Sequence, residues 1–185
     1  VARMLWDKGV GEYIEAARLI RKRYPDVEFC LLGFLDVKNP AAISSEQIKE
    51  WVSEGVVSYL GVTDDVRPIL ASVDCVVLPS YRGEGAPRTL LEAAAMGRPV
   101  VTTDAVGCRE VVDDGINGFL CKVRDAQDLA EKLERIIQLS PEERAAMGRN
   151  GRAKVEREFS ERRVVMRYLE TIETIMREQS KKTDV

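Results

Sequence analysis

Glu84 and Glu92 stand on either side of a helix start in the run Ser80-Tyr81-Arg82-Gly83-Glu84-Gly85-Ala86-Pro87-Arg88-Thr89-Leu90-Leu91-Glu92-Ala93. Just upstream, Asp74-Cys75-Val76-Val77-Leu78-Pro79 is a short apolar run that reads as a buried strand. The order is strand, glycine-rich turn, helix. Amides at a helix start lack intrahelical partners and lie at the positive end of the helix dipole, so they suit a phosphate. Carboxylates bracketing that anion can each accept hydrogen bonds from hydroxyl groups. A sugar, a diphosphate and a ribose, in that order, match the arrangement.

A second source of positive charge lies near the start of the chain. Arg3 falls at a strand end and Lys8-Gly9 enters a helix, so both cations can converge above one edge of a sheet. Two surface cations alone signify little beyond solubility. Beside an anion-ready helix start they supply what a diphosphate requires. Plainer readings exist for the acids too. Gly83-Glu84-Gly85 has the composition of an exposed turn, and Glu92 is spaced to pair with Arg88 four residues earlier. Leu90-Leu91 and Ala93-Ala94-Ala95 predict a largely buried helix, however, in which an acid needs a dedicated partner. A ribose diol is a good one.

Composition narrows the chemistry. The 185 residues are 45% hydrophobic and 32% charged, an ordinary globular mixture with no membrane-spanning run. A net charge of −3 argues against a general nucleic-acid binder. The chain has no histidine, which removes Ser-His-Asp and Cys-His devices and the commonest metal ligand. No Asp-x-Asp is present to hold a metal on a diphosphate, so the expected site uses no metal and no cofactor. Cys30, Cys75, Cys108 and Cys121 are widely spaced and read as free thiols of a reducing compartment. The beginning at Val1 reads as a cut from something longer.

Short apolar runs alternate with helix-period stretches. Strands are expected over residues 1–5, 27–32, 56–60, 75–78, 99–102 and 118–121. Helices are expected over 10–24, from Ser44 or Ser45 to 54, from Asp64 or Asp65 to 71, over 88–96 and around 109–112. This is an α/β chain: a Rossmann-like parallel sheet with helices on both faces, its site on the loops at the strand C-termini. From Asp125 the chain becomes continuous helix. Asp125 to Leu139 is amphipathic, Ser140-Pro141-Glu142-Glu143 is a helix-start signature, and Ser160-Glu161 opens a last helix to about Glu178. Residues 141–167 are basic, which reads as a solvated face or as one turned to phosphates or an anionic membrane. The polar tail 180–185 is expected to fray.

The motifs resemble retaining glycosyltransferases of family 4. The match runs in order over nearly the whole chain: Arg3 with Lys8-Gly9, Val57-Ser58-Tyr59-Leu60-Gly61, Asp65-Val66, Asp74 to Ser80, and Glu84-Gly85-Ala86-Pro87 with Leu90-Leu91-Glu92-Ala93. It continues through Gly97-Arg98-Pro99-Val100-Val101 and Gly107-Cys108-Arg109-Glu110 to Asp114-Gly115-Ile116-Asn117-Gly118. Glu84 and Glu92 keep that family's E-x(7)-E spacing. Tyr81-Arg82 and Pro87-Arg88 resemble the subgroup that extends lipid-linked or capsular oligosaccharides with N-acetylhexosamines, whose Ser-Tyr-Arg-Glu-Gly is interrupted here by Gly83.

The resemblance implies the donor-binding C-terminal half of a GT-B enzyme with the N-terminal acceptor domain absent, so the fragment alone should bind donor and hardly turn over. The donor is a nucleotide diphosphate sugar, expected to carry UDP. Arg3 and Lys8 would neutralise its diphosphate, with amides near Arg88, Thr89 and Leu90. Glu92 would hold the ribose, and Leu60, Gly61 and Val62 would frame the base. Glu84, Gly85, Ala86 and Pro87 would meet the donor sugar, with Glu84 nearest the anomeric carbon as the candidate catalytic residue. No acid is placed as a nucleophile, which favours front-face substitution with the leaving phosphate taking the acceptor's proton. Residues 1–157 would be the nucleotide-sugar domain and 158–185 a crossover helix and tail. In the family that helix packs on the N-terminal domain, so the stripe Val164, Val165, Tyr168, Leu169, Ile172, Ile175 and Met176 is expected to be bare. The other partner expected is a saccharide or lipid-linked acceptor, at a cytoplasmic location or peripherally at the inner membrane face, with no nucleic acid. Two further classes fit the fold: a non-catalytic nucleotide-binding module, and a GT-B sugar-nucleotide epimerase, which the missing histidine disfavours.

Overall fold

The computed structural model describes residues 1–83 and 85–183, with side chains as far as Arg177. Its strands are short and parallel. β1 (Cys30–Leu31) pairs with β2 (Ser58–Tyr59), while β3 (Val76–Leu78), β4 (Val100–Thr103) and β5 (Gly118–Cys121) form a three-stranded sheet in that order. Residues 1–5, expected to be a strand, form no named ladder but join the two sheets. The N–H groups of Ala2 and Met4 donate to the carbonyls of Leu32 and Phe34, each at 3.0 Å, which is a parallel step along the end of β1. On the other side the Asp7 carbonyl accepts from the Tyr81 N–H beyond β3 at 3.1 Å. The edge therefore runs β2, β1, residues 1–5, β3, β4, β5.

β1 and β2 are shorter than their apolar runs. The Val27 N–H is taken by the Tyr24 carbonyl and the Val56 N–H by the Trp51 carbonyl, so the turns that close the preceding helices use the donors a longer ladder needs.

Helices cover both faces: α1 (Val10–Arg21), α2 (Ser45–Ser53), α3 (Arg67–Ser72), α4 (Arg88–Ala95), α5 (Cys108–Val111), α6 (Ala126–Gln138), α7 (Pro141–Glu158) and α8 (Glu161–Thr183). Their starts follow local chemistry. Ser44 caps α2 by accepting from the Gln47 N–H, and Asp125 caps α6 by accepting from the Asp128 N–H. Ser140 and Glu143 form a capping box on α7, with Pro141 in its first turn.

β4 divides the interior. Val101 joins one apolar cluster with Ile14, Ala17 and Ile20 of α1 and Leu129, Leu133 and Ile136 of α6. Val100 joins a second cluster with Leu70, Leu90, Ala93 and Val111 from α3, α4 and α5. Alternate residues of a strand point to opposite faces, so one β-strand serves both layers. α7 crosses the end of α4 at Gly148, where a Cβ would stand 1.8 Å from the Gly97 carbonyl oxygen. All four cysteines are free. Burial pushes the Cys121 thiol up to about 12, which keeps it protonated and inert.

α8 continues through Thr183, beyond the expected end at Glu178, and Asp184 and Val185 lie outside the described residues. Its stripe of Val164, Val165, Tyr168, Leu169, Ile172, Ile175 and Met176 is between 48% and 69% exposed. No helix among the described residues is long and apolar enough to cross a membrane.

Candidate functional site

The entry to α1 is pressed onto the exit of β3. Residues 6–8 form a single 3-10 turn that ends at Gly9, whose φ of 73° is left-handed. A Cβ on Gly9 would stand 2.0 Å from the Pro79 carbonyl oxygen. Only glycine permits both this backbone and this approach. Lys8, half-buried, is thereby set beside the turn that follows β3, and exposed Arg3 lies on the joining segment between the two sheets.

Asp7 fastens the same two loops. Its carbonyl accepts from the Ser80 hydroxyl at 3.2 Å as well as from the Tyr81 N–H, and its Oδ2 accepts from Arg82 Nη1 at 3.2 Å. The side chain is buried, and Oδ1 has no hydrogen-bond partner among the described residues. The sequence reading passed over Asp7. The available signal was an acid directly before Lys8-Gly9, but its burial depends on Ser80 to Arg82, more than seventy residues away.

Pro87, buried and extended at φ −64° and ψ 127°, opens α4 with no side-chain cap. The N–H groups of Leu90 and Leu91 both donate to its carbonyl, at 3.0 and 3.2 Å. Of the three amides expected to face an anion, that of Leu90 is thus engaged, while those of Arg88 and Thr89 have no partner among the described residues. The Thr89 hydroxyl donates to the Val1 carbonyl at 2.9 Å, which ties the helix start to the segment carrying Arg3.

Glu92 is half-buried, and its Oε1 accepts from Arg88 Nε at 2.7 Å. The helix is less buried than its sequence suggests, since Arg88 is exposed and the apolar face is Leu90, Ala93 and Ala94. In the ligand-free chain Glu92 therefore has the plainer partner of the two considered. An exposed i,i+4 pair contributes only about 0.3–0.5 kcal/mol. Glu92→Gln should accordingly leave the melting temperature nearly unchanged while weakening UDP binding in calorimetry. A large drop in the melting temperature of the ligand-free chain would instead assign Glu92 to the fold.

Leu60, Gly61 and Val62 follow β2 on the same edge. The Gly61 carbonyl accepts from the Gly33 N–H at 2.9 Å, and the Tyr59 hydroxyl donates to the Gly33 carbonyl at 2.7 Å, locking the two strand ends together. Leu60 and Val62 are exposed, as is Phe34 on the neighbouring turn. Gly85 is exposed and Ala86 half-buried ahead of Pro87. Glu84, the expected catalytic and sugar-contacting residue, lies outside the described residues.

The fold thus gathers Arg3, Lys8, Arg88, Thr89 and the residues 60–62 onto the C-terminal edge of parallel strands, where ligands of open α/β sheets bind. Two surface depressions lie elsewhere, one around Glu110, Arg157 and Arg163 and one around Arg18, Lys22 and Glu54. No cluster of acids, cysteines and histidines suited to a metal occurs among the described residues.

An open helix start on the edge of a parallel sheet has backbone amides suited to an anion. The chain belongs to the family of Glycosyl transferases group 1, whose model matches residues 1–139. It is 33% identical to the N,N'-diacetylbacillosaminyl-diphospho-undecaprenol alpha-1,3-N-acetylgalactosaminyltransferase of Campylobacter jejuni, over 96% of this chain and 44% of the relative. It is 31% identical to the capsular polysaccharide biosynthesis glycosyltransferase CapM of Staphylococcus aureus, over 86% of this chain and 41% of the relative. The crystal structure of Anabaena Alr3699/HepE in complex with UDP superposes with a TM-score of 0.82 at 27% identity, covering 94% of this chain and 47% of that one. The chain spans less than half the length of these relatives. Its fold is one Rossmann-like half of the GT-B architecture.

Proposed function

We propose that this chain is the donor-binding, C-terminal half of a retaining glycosyltransferase. The enzyme would transfer a hexosyl or N-acetylhexosaminyl group from a nucleotide diphosphate sugar, with UDP as the nucleotide, to a saccharide or lipid-linked acceptor in surface polysaccharide biosynthesis. The observations that carry this reading are the close approach of Gly9 to Pro79, which sets Lys8 by the turn after β3, and the amides of Arg88 and Thr89, which have no partner among the described residues where that turn enters α4. The name of the Campylobacter relative supports a lipid-linked acceptor, that of the Staphylococcus relative supports polysaccharide biosynthesis, and the UDP complex of the Anabaena protein supports the nucleotide.

In this reading Lys8 and Arg3 face the diphosphate, because a cation beside the leaving phosphate stabilises the charge that grows as the glycosidic bond breaks. The amides of Arg88 and Thr89 hold the same phosphates. Glu92 exchanges Arg88 for the ribose diol, and residues 60–62 frame the base. Glu84, with Gly85 to Pro87, meets the sugar. The leaving phosphate accepts the acceptor's proton on the face it departs from, so configuration is retained without a nucleophilic side chain.

Calorimetric titration with UDP, GDP and uridine tests the reading, in the presence and absence of EDTA. UDP should bind with and without EDTA, and uridine should bind far more weakly. A strict requirement for a divalent metal would overturn this account of the site, and failure of every nucleotide diphosphate to bind would overturn the function.

The division into residues 1–157 and a crossover helix with its tail from 158 belongs to the same proposal, supported by the bare stripe on α8. Hydrogen exchange should find α8 less protected than α4, unless a concentration-dependent dimer covers it. A strictly monomeric chain with both helices equally protected would show that the stripe packs within this domain.

A further inference from the structure

Arg124, just after β5, has a φ of 57°. That left-handed backbone is uncommon for a residue with a side chain and costs glycine nothing. Its guanidinium carbon lies 4.2 Å from the centre of the Tyr81 ring, within the range of a cation–π contact. Apart from that ring it has no hydrogen-bond or ion-pair partner among the described residues, and it is exposed. A glycine here would relax the turn and give up the charge. Strain that holds an unpaired cation in place at a ligand-binding edge points to a use for the cation.

Among the described residues, the acids on the neighbouring segments are already engaged. Asp104 pairs with Arg109 at 3.1 Å, Asp125 caps α6, and Asp128 accepts from the Lys122 N–H at 2.7 Å. Arg124 also stands on the far side of the donor turn. Along the edge the base residues follow β2, the diphosphate residues surround residues 1–9 and α4, and the sugar turn follows β3. Tyr81 begins that turn, and Arg124 reaches it from β5. In the donor reading, a group arriving there would adjoin the sugar turn rather than the residues assigned to the nucleotide.

We propose that Arg124, held over Tyr81, binds a phosphate or diphosphate of the acceptor. This rests on the donor reading given above. The phosphate could come from a prenyl diphosphate carrying the acceptor saccharide or from a phospholipid headgroup at the membrane surface.

The test uses the whole 185-residue chain saturated with UDP and titrated with inorganic pyrophosphate. Pyrophosphate should occupy a second site that Arg124→Gly weakens by about tenfold or more, the loss of one charge-assisted contact. The same variant should keep its UDP affinity and melt at the same temperature or higher, because the backbone strain is relieved. Phosphatidylcholine vesicles carrying farnesyl diphosphate, compared with vesicles carrying phosphatidylglycerol, identify the source. Binding lost with Arg124→Gly on the first assigns a prenyl diphosphate, and on the second a headgroup. Bound UDP without Arg124-dependent pyrophosphate binding would overturn the inference alone. So would an equal loss of UDP affinity, or a lowered melting temperature with pyrophosphate binding intact, which would make Arg124 a prop for Tyr81. Absence of UDP binding would overturn the donor reading and this inference with it.

Discussion

Gly9→Ala should destabilise the domain by about 2–4 kcal/mol, the sum of a left-handed backbone penalty and a main-chain clash. The added methyl meets the Pro79 carbonyl oxygen at 2.0 Å, and that atom belongs to backbone that cannot swing aside. Relief requires the start of α1 to move away from β3, which separates Lys8 from the turn before α4. UDP affinity should therefore fall even at temperatures where the variant is folded. Gly55→Ala is the matched control, since Gly55 has a similar φ of 72° with nothing within 4 Å of an added Cβ. It should cost only the backbone term, about 1–2 kcal/mol. Denaturant midpoints at constant m-value measure both. Equal losses in the two variants would show that contact with Pro79 does not hold the site together.

Lys8→Ala should weaken binding of a nucleotide diphosphate by about 1.5–3 kcal/mol, the scale of a hydrogen bond to a charged group. Uridine, which has no phosphate, should be nearly indifferent to the change. The comparison separates charge from folding, because a Lys8 that merely braced the α1 entry would affect both ligands alike. Equal losses for uridine and UDP in calorimetry would exclude a phosphate contact. Raising the salt concentration should narrow the gap between wild type and variant for UDP, since a half-buried ammonium is still partly screened.

These two substitutions act on one geometric fact. Lys8 is adjacent in sequence to Gly9, whereas the partner loop begins at Pro79. A glycine brings the loops into contact, and Asp7 fixes them through Ser80, Tyr81 and Arg82.

By itself the sequence determined what depends on neighbours along the chain. Helix starts at Ser44 (one of the two serines expected), Asp125 and Ser140 follow from side chains that reach the amide three residues away, and the strand–turn–helix order at β3 and α4 follows from one apolar run and one proline. The alternation of strands and helices, and with it the parallel sheet edge on which the proposed site lies, was legible for the same reason. Tertiary structure decided the rest. β1 and β2 are short because turn hydrogen bonds compete for their donors. The spacing offered Glu92 the local partner Arg88, and the fold keeps that pair because α4 buries a narrower face than its composition suggests. Asp7 is buried and Arg124 lies over Tyr81 only because remote loops come together at the ends of parallel strands. No local pattern encodes such pairs, since the energy of each depends on a partner that only the folded sheet brings within reach.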